Sequence, residues 1–212
     1  MADSREQGGL TTPRTLVLAS GNPGKLAELR HMLGPLGWGI RLQSEWEIEA
    51  AVEDGATFIE NALIKARHAA LHTGLPSLGD DSGLVVDALQ GAPGIFSSRY
   101  AGKHGDDSAN NSKLLKALRD VPAGQRSARF YCAMVLMKHA DDPAPLLAIG
   151  KWLGRIVDQP RGAGGFGYDP LFWVESEGCT SAELDPAVKN RLSHRGQALS
   201  ALLTQLGNQS PV

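Results

Sequence analysis

The sequence predicts an α/β fold: a mixed, twisted β-sheet flanked by helices. Three observations carry this. Residues 15–19 are a short apolar run that leads, through a dense turn, into helically spaced leucines. Residues 126–137 and 146–156 are longer strand-like runs, and Asp141-Asp142-Pro143 between them reads as a hairpin connection. Helical patterns precede and follow this hairpin, so helices pack on the sheet's faces.

Each element has its own signal. The run at residues 15–19 is β-branched and leucine-rich, a first buried strand. Ser20-Gly21-Asn22-Pro23-Gly24 is turn chemistry, and Pro23 suits a first helical turn. A helix follows over residues 23–36, with Leu26, Leu29, Leu33 and Leu36 on one face. Residues 38–43 predict the second strand. Thr57, with Glu60 three residues later, forms a capping box. The helix behind it turns Phe58, Ala62, Leu63, Ala66 and Ala70 inward and ends at Gly74. Asp80-Asp81-Ser82-Gly83 reads as an acidic turn before a short strand at residues 84–86, and residues 91–102 as a loop. Asp106 or Ser108 begins a helix through Leu118. After the hairpin, residues 161–167 are too glycine-rich for regular structure. Residues 170–174 predict one more strand, and a final helix runs from near Ser193 to Leu206.

The chain has 212 residues, which predicts one domain, residues 15–207, with room for two lobes. Residues 1–14 are polar with Gly9 and Pro13, and read as a disordered tail without the apolar stretch of a signal peptide. No apolar run reaches the length of a membrane span, which predicts a cytoplasmic protein. The net charge of −2 implies no general affinity for nucleic acid or acidic membranes, so a phosphate ligand needs locally placed donors. Cys132 and Cys179 lack paired spacing, which argues against a disulfide framework or a Cys-type zinc site.

Four segments can carry chemistry. Ser20-Gly21-Asn22-Pro23-Gly24-Lys25 follows a strand and opens a helix, where free N–H groups and the dipole favour an anion. Its spacing is not that of the Walker A loop, and an ordinary strand-turn-helix connection explains it equally well. Adjacent carboxylates at Asp80 and Asp81 repel each other, a cost that magnesium offsets or that solvent absorbs. Glu53, before the Asp54-Gly55 turn, is a candidate third carboxylate. In Gly162-Ala163-Gly164-Gly165-Phe166-Gly167-Tyr168-Asp169-Pro170, glycines bracket two rings that can stack on a base. Lys189-Asn190-Arg191-Leu192-Ser193-His194-Arg195-Gly196 places cations at a helix start, against the dipole, which suits either an anionic ligand or a solvated basic cap. His68 and His72 read as surface histidines, and Cys132 as core. Asn110-Asn111-Ser112 matches a glycosylation acceptor without meaning in a cytoplasmic protein.

Read together, these segments resemble the inosine triphosphate pyrophosphatase family, the non-canonical purine nucleoside triphosphate pyrophosphatases. The likeness covers about residues 16–206: SGNPGK at 20–25, GATFIENALIKARHA at 55–69, DDSGLVVDALQGAPGIFSSRYAG at 80–102, GGFGYDP at 164–170 and SHRG at 193–196. It implies a mixed-sheet fold with an active-site cleft between two lobes, and a homodimer with one Mg²⁺ per subunit. It implies hydrolysis of ITP, dITP and XTP to the monophosphate and pyrophosphate, which removes them from the nucleotide pool. By the family's pattern Ser20, Gly21, Asn22, Pro23, Gly24 and Lys25 cradle phosphates, with Lys65 as a further contact. Asp81 is the metal ligand and proton acceptor, Glu53 the second metal carboxylate, and Ser82 a substrate contact. Asp80 is expected near the metal as well. Phe166, Gly167, Tyr168, Asp169, Lys189, His194 and Arg195 complete the nucleotide site. Phe166 or Tyr168 would stack on the base, and Arg195 with His194 would donate to its 6-oxo group, where adenine carries an amino donor. Rival readings are a nucleotide pyrophosphatase of different base preference and a non-catalytic nucleotide sensor.

Overall fold

The computed structural model describes residues 14–33 and 38–207. The expected tail at residues 1–13 and helix end at Leu36 lie outside them, while Arg14, assigned to the tail, begins a strand. The elements in chain order are β1 (Arg14–Leu18), α1 (Pro23–Leu33), β2 (Trp38–Leu42), α2 (Phe58–Thr73), β3 (Ser77–Val86), α3 (Asp107–Ala117), β4 (Ser127–Met137), β5 (Leu146–Ile156), β6 (Phe172–Val174), β7 (Cys179–Thr180), α4 (Pro186–Leu192) and α5 (His194–Gly207). The seven strands form one mixed sheet in the order β2-β1-β3-β4-β5-β6-β7. β1 runs parallel to β2 and β3, and every later pair is antiparallel.

Local chemistry sets the helix ends. Thr57 Oγ1 accepts from Glu60 N (3.2 Å) and donates to the Glu60 carboxylate (2.9 Å), and Gly74 ends α2 at φ +66°. Asp106 caps α3 through Ala109 N (3.0 Å). The hairpin between β4 and β5 is pinned by Asp142, which accepts from Lys138 N and Ala144 N.

The largest departure from the sequence reading is Asp80-Asp81-Ser82-Gly83, which is not a turn but the middle of β3. An extended chain points neighbouring side chains to opposite faces, so the two carboxylates separate without a turn. The glycines that mimic a turn signal serve packing: a Cβ on Gly79 would overlap the Ala62 carbonyl of α2. Smaller corrections concern the 3₁₀ turns. β2 stops at Leu42 before a turn over Gln43–Trp46, the loop at residues 91–102 contains a turn over Gly94–Arg99, and Asp169–Leu171 precedes β6. α4 and β7 have no counterpart in the sequence reading.

On one face of the sheet, Leu16, Leu18, Leu78, Cys132 and Met134 pack with Leu29 and Leu33 of α1 and Leu199 and Leu202 of α5. Farther along the same strands Leu84, Phe130, Trp152 and Phe172 pack with Leu114 and Leu118 of α3. On the opposite face Ala62 and Ala66 of α2 lie on Ala133, Val135 and Met137. The two cores on the first face are parted by the charged segment of β3.

Candidate active site

The site begins where strand pairing stops. β1 meets β3 only at Val17↔Ser77 and Leu18↔Leu78. Beyond Leu78, β3 pairs with β4 alone, until Leu84 N donates to Ser97 Oγ (2.9 Å). Between these points the edge of β3 has no strand neighbour among the described residues. A crevice at the end of a parallel strand is the usual ligand position in open α/β sheets.

Asp80 points into the face shared by α1 and α5 and is fully buried. Lys25 Nζ reaches its Oδ1 (2.5 Å) and its carbonyl oxygen (3.1 Å), and Arg195 Nε reaches its Oδ2 (2.8 Å). Arg195 also donates from Nη1 to Glu28 and from Nη2 to Ser82 Oγ (2.9 Å). Burial alone would raise the Asp80 pKa, but the Arg195 and Lys25 charges outweigh it and hold the carboxyl well below its ordinary value. Arg195 is raised: burial opposes its charge, and Asp80 and Glu28 overcome that.

Asp81 points to the other face, where α2 lies. Lys65 Nζ donates to Asp81 Oδ1 (2.8 Å) and to Glu53 Oε2 (3.2 Å). Asp81 Oδ2 is buried and has no hydrogen-bond partner. Burial raises the Asp81 pKa despite Lys65 and Lys25. Lys65 is pulled down by burial, yet Asp81 and Glu53 leave it net raised.

The remaining segments close over this edge. Asn22 Oδ1 accepts from Gly24 N (2.9 Å) and Lys25 N (3.2 Å), which caps α1 and fixes the turn from Ser20. Gly24 lies beneath the Phe166 ring, 3.1 Å from an ideal Cβ position. Phe166 N donates to Asp169 Oδ2 (2.8 Å), which also holds Lys189 Nζ (2.7 Å), while Asp169 Oδ1 accepts from Ser181 Oγ (2.7 Å). Lys189 Nζ stands 5.1 Å from the Phe166 centroid. His194 stacks on Phe130 (4.8 Å), and its Nδ1 is buried without a partner. Burial and the Arg195 charge push its pKa well down, so the imidazole is neutral at pH 7. A hollow of about 250 Å³ opens between Glu28, Gly164, Gly165 and Lys189.

The fold thus gathers residues that the sequence spreads from Ser20 to Arg195, with three adjustments. Asp80 departs from the expected place near a metal: its oxygens are taken by Lys25 and Arg195 on the face opposite Asp81. Tyr168 is 4% exposed and sits in the core with its hydroxyl donating to Ser97 O (2.9 Å), so Phe166, 37% exposed, is the ring free to stack. Arg195, 2% exposed, is held by Asp80, Glu28 and Ser82 through Nε, Nη1 and Nη2, which places it in the buried network beside Asp80 rather than at the open mouth of the site. The segment from Lys189 to Gly196 lies immediately before and at the start of α5, as expected, and Lys189 itself sits in the last turn of α4, where a cation suits the dipole. Sequence reasoning missed Glu28, although its i,i+3 spacing from Lys25 already put the two on one side of α1. His72 is exposed and Cys132 buried, as expected, whereas His68, also expected at the surface, is half-buried with Nδ1 buried and unpartnered.

Fold and site define a class: an α/β protein with carboxylates and cations interleaved at a strand edge beside a capped helix start. The chain belongs to the Ham1 family, whose model matches residues 16–205. It is 56% identical over 196 residues to a dITP/XTP pyrophosphatase of Vibrio cholerae, covering 92% of this chain and 98% of that protein. It is 59% identical over 191 residues to one of Xanthomonas campestris, covering 90% and 96%. The structure of a HAM1 protein from Coxiella burnetii superposes with a TM-score of 0.85 at 52% identity, covering 92% of this chain and 99% of that one.

Proposed function

We propose that this chain hydrolyses dITP, XTP and ITP to the monophosphate and pyrophosphate, removing them from the nucleotide pool. The names of its Vibrio and Xanthomonas relatives support the substrate class. The observation that carries the chemistry is Asp81 Oδ2, a buried carboxylate oxygen with no partner beside Lys65 and Glu53. A buried unpaired acceptor is costly and is kept where a ligand completes it.

Magnesium takes one or two carboxylates together with water and phosphate oxygens, and Asp81 and Glu53 are the pair that would hold one ion. When bound, it would neutralise phosphate charge and acidify the attacking water. Asp81 accepts the water proton as the oxygen bonds to the α-phosphorus; the α–β bridging bond breaks and its electron pair leaves with pyrophosphate. The buried, unpartnered Oδ2 leaves Asp81 an oxygen for this task. Lys65 and Lys25 flank β3 on its two faces and offset the charge on the phosphates held at the turn from Ser20 to Gly24. Phe166 stacks on the base. The 6-oxo group is met by Lys189 and glycine-loop amides, which line the hollow, while Arg195 positions Glu28, Ser82 and Asp80.

The active form is a homodimer: Leu147, Ile149 and Leu153 project from one face of β5 and are exposed with Lys151 among them, a mostly apolar stripe a second copy can cover. No helix among the described residues is long and apolar enough to cross a membrane. Action in the cytoplasm, where nucleoside triphosphates are made and used, follows from the substrate. Initial rates against ITP, dITP, XTP, GTP and ATP at fixed magnesium, with products identified, test the proposal. Monophosphate and pyrophosphate from the first three substrates are expected; release of orthophosphate, or equal rates with ATP, would overturn it.

A further inference from the structure

We propose that helix α3 sets the position of the base-stacking ring: Asp107 and Asn111 grip Gly167 and through it hold Phe166. The proposal rests on the reading of Phe166 as the stacking residue. The glycine loop forms neither helix nor strand. Gly162, Gly165 and Gly167 all have positive φ, and residues 162–168 join no strand ladder. Such a segment gains entropy by moving unless something outside holds it.

Asp169 Oδ2 takes Phe166 N and Ala182 O takes Gly164 N, and α3 adds a hold on the residue between Phe166 and Tyr168. Gly167 N donates to Asp107 Oδ2 (2.6 Å), and Asn111 Nδ2 donates to Gly167 O (2.9 Å). Asp107 and Asn111 are four residues apart on one helix face, so one rigid element grips both polar atoms of the residue that follows Phe166. The helix itself is anchored. Leu114 and Leu118 are buried in the core, and Asn110 takes Ala101 N (2.7 Å) while donating to Ser98 O (3.3 Å). The same turn receives the Tyr168 hydroxyl at Ser97 O, and Ser97 Oγ accepts from Leu84 of β3. The ring's support thus runs back to the strand that carries Asp81. The Asn110-Asn111 pair, without meaning as a glycosylation signal, has a positional role here.

A loop held by side-chain hydrogen bonds to a helix controls ground-state binding rather than chemistry, so its loss should appear in KM. The test measures kcat and KM for dITP with magnesium, and Tm, in Asn111→Leu, Asp107→Ala, Asp107→Asn, Phe166→Ala and the Phe166→Ala/Asn111→Leu pair. Asn111→Leu and Asp107→Ala should each raise KM about fivefold, the worth of one hydrogen bond, with kcat within about twofold. Asp107→Asn, which keeps an acceptor oxygen, should restore KM. Asn111→Leu should add nothing once Phe166 is gone. If Phe166→Ala raises KM while Asn111→Leu and Asp107→Ala leave it unchanged, or only lower Tm, the clamp is wrong and stacking stands. If Phe166→Ala itself leaves KM unchanged, the stacking reading fails and the clamp falls with it.

Discussion

Asp80 and Asp81 are neighbours on one strand, and the fold treats them in opposite ways. Asp80 lies between two apolar cores with both oxygens paired to Lys25 and Arg195 and a pKa held down by those charges. Asp81 lies on the α2 face with one oxygen on Lys65, the other unpartnered, and a pKa raised by burial. The pleat of an extended chain is enough to place one carboxylate in a completed network and to leave the next with an open oxygen, as the proposed reaction requires. A complete buried network holds shape, whereas an incomplete one holds a reactive group in readiness.

The sharpest way to break this contrast is on the reactive side. Asp81→Asn should lower turnover by ~10³-fold or more with the fold intact, since it removes the proton acceptor and a metal ligand together. Near-normal rates of pyrophosphate release would move the chemistry elsewhere. On the scaffolding side, Arg195→Ala leaves Asp80 and Glu28 short of a buried partner and should cost about 3–5 kcal/mol by urea denaturation. A loss below about 1 kcal/mol would mean that the network is not structural. Phe166→Ala, at the mouth of the site, should raise KM by ~5–100-fold, the range expected for one stacked base, and leave Tm unchanged.

The smallest effect concerns pH. The unfolded chain protonates His194 near 6.5, while the folded chain keeps it neutral because its pKa is pushed well down. The unfolded state therefore binds more protons just below 6.5, so this contribution is complete above that pH and is lost as pH falls. The slope is at most about 1.4 kcal/mol per pH unit, and His194→Phe should flatten it in urea midpoints measured from pH 5 to pH 7.5.

Much of the fold was legible because its signals are local. The Thr57-Glu60 capping box, the hairpin at Asp142 and the leucine spacing of α1 each need only nearby residues. The middle of β3 was not legible. Its glycines and carboxylates are turn chemistry by composition, and what makes them a strand is Lys25, Lys65 and Arg195 arriving from distant parts of the chain. The site shows the same division. Its residue types stood in the sequence from Ser20 to Arg195, but their partners did not. That Arg195 is held by Asp80, Glu28 and Ser82, that Tyr168 is core and that Asp80 faces away from Asp81 follow only from three-dimensional packing. α4 was readable in principle, since Asp185 caps it and Pro186 opens it.

Urea denaturation of the wild type, Asp80→Asn and Asp81→Asn at pH 7, without nucleotide, tests the division of labour most directly. Asp80→Asn should lose about 3 kcal/mol or more, because Lys25 and Arg195 are left facing a neutral group in a buried site. Asp81→Asn should lose clearly less, because Lys65 keeps Glu53 as a partner and one Asp81 oxygen is already unpaired. Equal losses in the two variants, or a larger loss in Asp81→Asn, would contradict the assignment of one carboxylate to structure and its neighbour to catalysis.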